Sequence, residues 1–278
     1  MTVDVDSWSS LLRFYSIRHE AVEADSEVGI CYGMNRLLEL FRKHDVNATF
    51  FVPGEVAKTQ YESIRQILQG GHELGCHGLT HDKDEFLSPY NDQFKRLKKA
   101  TELLEKHIGI KPKGFRAPCL RANRETIKAL ESLDYTYDSS VLPSFVPVYG
   151  SFTFRLKPYN PSRSSIIAKG KSRILELPVS VNPIFHIPLS AAWMRNLGLK
   201  WVKSSIQINF NLGNPVVFYL HPRDVMPLPK AVGLPWHFYR NIGLAGEKMV
   251  DEVVKYARKN GEIMSGIELA KRYNKMEA

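Results

Sequence analysis

Short apolar segments alternate with amphipathic ones along the first half of the chain, which predicts an α/β fold of parallel strand–helix units closed into a barrel. Two further observations support this class. The length of 278 residues is ordinary for a β/α barrel folded as one domain, so residues 1–278 are read as a single unit. Each polar cluster also falls after a strand-like segment and before a helix-like one. In a β/α barrel this gathers such clusters at the carboxyl ends of the strands, where catalytic groups assemble.

The elements follow in order. Thr2, Val3 and Val5 alternate with Asp4 and Asp6; the two-residue period of a strand puts both carboxylates on one face at its end. Residues 7–32 show little periodicity and read as an excursion. Residues 34–43 carry Leu37, Leu38, Leu40 and Phe41 at helical spacing. Residues 47–52 are strand-like and stop at Pro53-Gly54; residues 61–69 form a helix ended by Gly70-Gly71. A short strand over 72–76 leads into a polar turn, and helices are expected over 91–107 and 124–133, with strands beginning at Gly114 and over 135–138. From 139 to 172 the rhythm breaks into a Pro/Ser-rich, basic stretch, read as a loop-rich insertion over the site. Strands over 174–181 and 215–220 and helices over 201–210, 246–259 and 267–273 complete the pattern.

A hydrophobic fraction of 44% and a charged fraction of 24% suit a globular protein with a real core. No apolar run approaches the ~18 residues of a membrane span, and the first residues lack the pattern of a signal peptide. The expected location is therefore cytoplasmic. Cys31, Cys76 and Cys119 are odd in number and widely spaced, which fits reduced packing residues. The net charge of +9 favours acidic partners in general, but it reads as dispersed over solvated faces, and no nucleic acid partner is expected. The sequence is silent on oligomeric state.

His77 and His81 lie four residues apart in the polar turn, a spacing from which two imidazoles can reach one metal ion. Asp4 and Asp6 repel each other unless a cation or an arginine compensates them. His221 ends the apolar run 215–220.

These residues fall in an ordered set: Thr2-Val-Asp4-Val-Asp6, His77-x-x-x-His81, Phe115-Arg116-Ala-Pro118, Tyr137-Asp138-Ser139-Ser140 and Tyr219-Leu-His221-Pro222. The set resembles the five motifs of the polysaccharide deacetylase family, the NodB-homology group or carbohydrate esterase family 4. The resemblance implies a distorted (β/α)7-type barrel with its site at the carboxyl ends of the strands. It implies Asp6, His77 and His81 as ligands of a divalent metal, Zn2+ first, with Co2+, Ni2+ or Mn2+ as alternatives. Asp4 would be the general base, held by a bidentate Arg116, and His221 the general acid, with Asp138 as its partner. The oxyanion would meet the backbone N–H of Cys119, at a place where the family commonly has tyrosine.

Other departures bear on the substrate. The family's commoner opening has adjacent aspartates, whereas Val5 separates them here, as in peptidoglycan-deacetylase-like and allantoinase-like members. Ser139 stands where the fourth motif usually has tryptophan, so the acetyl methyl needs another apolar neighbour. Leu220 is one candidate, and Trp8, Trp193 and Trp236 are candidate sugar-stacking residues. The resulting expectation is a metal-dependent deacetylase acting on the N-acetyl amide of an amino sugar in a chitooligosaccharide or peptidoglycan-like glycan. The alternative is a hydrolase of a small non-sugar amide or cyclic ureide, and a non-catalytic glycan binder ranks third.

Overall fold

The computed structural model describes residues 1–17, 22–146 and 151–277. Among them a parallel sheet contains β1 (Thr2–Asp4), β2 (Thr49–Val52), β3 (Glu73–Cys76), β4 (Gly114–Phe115), β5 (Tyr137–Asp138), β8 (Leu175–Glu176) and β9 (Tyr219–Leu220). Its order is β8-β5-β4-β3-β2-β1-β9, a curled sheet with helices packed outside it. Between its two edges runs irregular chain, where the Ser180 N–H donates to the Val217 carbonyl at 3.0 Å and the Val217 N–H to Ser180 Oγ at 2.8 Å. This irregular seam is the distortion of the barrel.

The central strands are apolar on both faces. Phe50, Phe51 and Val52 of β2 are fully buried, as a parallel strand covered on two sides requires; each such side chain contributes about 1.5–3 kcal/mol by leaving water. The edge strands are shorter than their apolar runs suggest. β8 stops at Glu176 because Pro178, two residues on, has no N–H to give a ladder, and Pro215 and Val217 bond to Ser180 in the seam instead.

The excursion expected over 7–32 is largely helical. α1 (Trp8–Phe14) is capped by Ser7, and α2 (Val22–Lys43) begins well before residue 34; 18–21, including His19, lie outside the described residues. Beyond Pro53, α3 (Gly54–Thr59) also escapes sequence reading. There Gly54 serves close packing: a Cβ would stand 2.8 Å from the Cα of Ala100 on α5 (Tyr90–Ile108). α4 (Tyr61–Gln69), α6 (Arg124–Ser132), α8 (Leu199–Asn211), α9 (Leu244–Asn260) and α10 (Gly266–Glu277) stand where helices were expected. A further short helix, α7 (Ala191–Leu197), precedes α8.

In the stretch 139–172, a hairpin of β6 (Pro161–Ser162) and β7 (Ser165–Lys169) docks on α6, where Glu131 accepts from Arg163 Nε at 3.1 Å and from the Arg173 N–H at 2.8 Å. Residues 147–150 of this stretch lie outside the described residues, and no described residue of it lines the site cavity. The described part of the stretch supports the site from behind instead, through Ser139 on Arg116, Ser140 on the Ala117 N–H, and Leu142 packed with Leu120 and Tyr219.

Candidate active site

The carboxyl ends of β1, β3, β4 and β9 converge on a cavity of about 120 Å³ lined by Asp4, Asp6, His77, His81, Cys119 and His221. A larger cavity of about 590 Å³ opens among Met1, Phe210, Val253 and Tyr273; no histidine lines it, and the chemistry is assigned to the smaller one.

The histidine turn is held by its backbone. Gly78 has φ +76°, and a Cβ there would meet Phe86, Pro118 and Glu85 at 3.0–3.1 Å, so only glycine fits. His81 itself is left-handed, with φ 62°. The buried Glu85 accepts from the Leu79 N–H at 2.6 Å and from the Thr80 N–H at 3.2 Å, fixing the turn from behind. His77 Nδ1 faces the Arg116 carbonyl at 2.7 Å, which leaves Nε2 for the cavity. His81 Nε2 stands 3.3 Å from Asp6 Oδ2, and the two imidazole rings are 4.9 Å apart. Burial lowers the pKa of both histidines, that of His81 to about 3, so both are neutral at physiological pH.

Asp4 accepts from Arg116 Nη1 at 2.7 Å. The bidentate pair expected here is replaced by a single-nitrogen contact, because the rest of the guanidinium is engaged elsewhere. Nη1 also donates to Thr2 Oγ1 at 2.9 Å, Nη2 to Ser139 Oγ at 2.9 Å and Nε to the Ser139 carbonyl at 3.0 Å. Arg116 also stacks over Phe51, 4.4 Å from the ring centroid. Burial opposes ionisation of Asp4, but Arg116, aided by His77 and His221, outweighs it and holds the carboxyl below its ordinary range.

Asp6 meets a cation that sequence reading missed. Arg223 Nη1 donates to Asp6 Oδ1, and against the cost of burial Arg223 with His221 and His81 brings the carboxyl down to about 2.

His221 has a carboxylate partner other than the expected one. Asp224 Oδ2 stands 3.4 Å from His221 Nδ1, accepts the His221 N–H at 2.8 Å, and is anchored by Arg195 Nε at 3.1 Å on its other oxygen. Asp138 turns instead into the barrel wall. Its Oδ1 takes the Ser140 hydroxyl at 2.5 Å, and it shares a buried environment with Glu176, where burial raises both carboxyls. The Ser140 hydroxyl in turn accepts the Ala117 N–H at 2.8 Å, so Asp138 braces the loop after β4.

That loop carries Cys119 and Leu120 with φ 55° and 56°. Two successive left-handed residues are strain of the kind concentrated at functional sites. Leu120 and Arg121 close turn bonds to Ala117 and Pro118. Burial pushes the Cys119 thiol up to about 12, which leaves its main chain as the useful part.

The substrate-contact expectations fare differently. Leu220 is fully buried in the main core and Trp8 packs with Leu12, Ala231 and Leu234; neither lines the cavity, because Leu220 points into the barrel wall and α1 turns Trp8 beneath itself. Trp193 is half-buried off the cavity and Trp236 is exposed outside it. The apolar wall comes from Leu11, Phe14, Tyr15, Leu120, Tyr219 and Phe238. Arg223 and Asp224 could have been found by reading two residues beyond His221-Pro222; for Glu85 and the α1 residues the sequence carries no comparable signal.

The donor chemistry of Asp6, His77 and His81 suits a divalent cation: one ionised carboxylate and two neutral imidazoles. The arrangement is not a ready ligand cage, since no group of three His, Cys, Asp or Glu side chains among the described residues stands in a metal-holding geometry. The cation against Asp6 is the Arg223 guanidinium.

Comparison with known proteins places this geometry. The sequence model described as Polysaccharide deacetylase matches residues 31–137, and one described as a domain of unknown function (DUF3473) matches residues 139–257. Both stretches contribute strands to the one sheet. A peptidoglycan deacetylase of Helicobacter pylori is 33% identical over 118 residues, 42% of this chain and 40% of that protein. A chitin deacetylase of Colletotrichum lindemuthianum is 30% identical over 105 residues, 36% of this chain and 42% of that protein. The matches thus span less than half the length of these relatives. Among solved structures, a putative polysaccharide deacetylase from Mycobacterium smegmatis superposes with a TM-score of 0.73 at 24% identity, covering 100% of this chain and 90% of that one. A Puue allantoinase superposes with a TM-score of 0.62 at 17% identity, covering 92% and 76%; both likenesses concern the fold. With the motifs in order, the barrel formed and residues 31–137 matched, the chain resembles the polysaccharide deacetylase family in sequence over that segment and in fold throughout.

Proposed function

We propose that this protein hydrolyses the N-acetyl amide of an amino sugar within a glycan of the peptidoglycan or chitin type. The observation that carries the reading is that Asp4 and His221 line one small cavity together with His77 and His81, each backed by its own charged partner, Arg116 or Asp224.

A cavity of about 120 Å³ lies well below the ~300–1,000 Å³ of sites that enclose a whole ligand. It suits the acetamido group, with the sugar ring lying across the mouth. Leu120, Phe14 and Tyr219 offer the methyl an apolar wall. Asp4 takes the proton of the attacking water as the C–O bond forms, and Arg116 fixes its direction at the cost of basicity. The Cys119 N–H meets the oxygen of the tetrahedral intermediate. His221, with Nδ1 toward Asp224 and Nε2 toward the cavity, gives a proton to the nitrogen as the C–N bond breaks, leaving acetate and a free amine.

Asp6, His77 and His81 would hold a divalent metal, Zn2+ first, once Arg223 leaves Asp6. When bound, the metal would polarise the scissile carbonyl and ease deprotonation of the attacking water.

The test is acetate release from chitooligosaccharides and muropeptides by metal-loaded protein. Asp4→Asn and His221→Ala are expected to abolish most of it; full activity in either variant would overturn the assigned roles. A second reading, hydrolysis of a small amide or ureide, is favoured by the same small cavity. Turnover of small amides in preference to N-acetylglucosamine oligomers would establish it instead.

A further inference from the structure

Two loops outside the active site present an exposed apolar surface. Phe145, Phe152, Phe154, Ile184 and Phe185 are 46%, 60%, 73%, 66% and 66% exposed. The Ser144 hydroxyl donates to the His186 carbonyl at 2.7 Å, and His186 Nδ1 stands 2.8 Å from the Pro143 carbonyl, which latches the two loops together. Asn182 Oδ1 accepts the N–H groups of Ile184 and Phe185 at 2.9 and 3.0 Å, and the Ser151 N–H donates to the Leu142 carbonyl at 2.8 Å. The His186 ring lies 4.9 Å from that of Phe145 and 5.1 Å from that of Phe154, and Phe145 meets Phe152 and Phe154, so these rings form one cluster, with Ile184 and Phe185 directly before His186 in the chain. An exposed apolar surface of this size marks an interaction site.

Charge identifies the partner. Residues 139–223 contain ten Lys and Arg and a single acid, Glu176, leaving 28 basic and 28 acidic residues elsewhere; this stretch carries the whole net charge of +9. The dispersed charge read from the sequence is thus a property of the other residues only. Within the stretch, Arg163, Arg195, Lys203 and Arg223 are engaged in ion pairs. Arg155, directly after Phe154, and Lys157, Lys171 and Lys200 are exposed. Exposed aromatic side chains on a chain segment of strong positive charge, with Arg155 directly beside Phe154, match an anionic lipid surface, where rings enter the headgroup layer and cations meet phosphate.

We propose that the cluster of Phe145, Phe152, Phe154, Ile184 and Phe185 docks this protein peripherally onto an anionic membrane surface. Leu142, which leads into the cluster, packs with Leu120 and Tyr219 of the site cavity, so docking would hold the cavity near glycan carried at that surface. The docking claim itself does not depend on the deacetylase reading.

The test is co-sedimentation of the full chain with vesicles of phosphatidylcholine alone or mixed with phosphatidylglycerol, which involves no glycan. Binding is expected to the mixed vesicles only and to weaken as salt is raised. Phe154→Ser with Phe185→Ser is expected to weaken it about tenfold by removing inserted apolar area, with unchanged circular dichroism and unchanged acetate release from soluble oligomers. Arg155→Gln should weaken it less. Absence of binding to mixed vesicles, or binding untouched by the double substitution, overturns the proposal. So does sedimentation velocity showing that the double substitution abolishes a dimer while vesicle binding is absent, which would make the surface a contact between two copies.

Discussion

Asp4 and Asp6 stand two residues apart at the end of β1, and each meets an arginine, yet the two arginines are held differently. Arg116 is fully buried, stacks on Phe51 and spends its other donors on Thr2 and Ser139. Arg223 reaches Asp6 from the cavity wall, its side chain 13% exposed. The first is part of the barrel and cannot leave without unfolding its surroundings. The second lines the cavity and meets Asp6 through Nη1. One aspartate therefore has a fully buried counter-charge that aims it, whereas the counter-charge of the other reaches in from the cavity wall, where on the proposed function a metal ion would displace it.

The strongest way to break this contrast is to remove the fully buried arginine. Arg116→Ala leaves Asp4 buried without its cation and is expected to cost about 3–5 kcal/mol, read as a lower denaturation midpoint in urea. Arg223→Ala should lower that midpoint less, because His221, His81 and His77 remain beside Asp6; equal losses would erase the distinction. Next in size, Asp4→Asn is expected to lower acetate release by about 10²–10⁴-fold while the fold persists.

Sharpening the contrast calls for Arg223→Gln, which removes the competing charge from Asp6. Zinc binding should tighten by about tenfold, measured by calorimetry and by the shift of thermal midpoint with added zinc. Unchanged affinity would mean that Arg223 does not compete.

The smallest effect concerns Glu176. Burial holds its carboxyl well above the usual range, so the folded state keeps a proton that the unfolded state has lost. Stability from this group is present below the unfolded pKa, near 4.5, and falls as pH rises above it. Glu176→Gln keeps the acceptor for the Val141 N–H and should flatten the decline in stability between pH 5 and 8, as followed by thermal midpoints.

Much of this was legible in the sequence because local pattern and chemistry agree there. The two-residue period placed Asp4 and Asp6 together, and both line the cavity with His77, His81 and His221. Helix periodicity located α4, α5 and α6 to within a residue or so. What was missed depends on distant chain. Whether Asp138 or Asp224 meets His221 is decided by where the barrel wall turns, and Trp8 and Leu220 point away from the cavity because α1 and β9 present their other faces. The aromatic cluster joins residues some forty positions apart through His186, and no window of sequence shows that contact.

The central claim is tested most directly by acetate release from N-acetylglucosamine oligomers, comparing zinc-loaded protein with its Asp4→Asn variant at equal metal occupancy. Release is expected from the first and its near-complete loss in the second. Equal release by both, or none from any N-acetylated glycan with turnover of small amides instead, would contradict the claim.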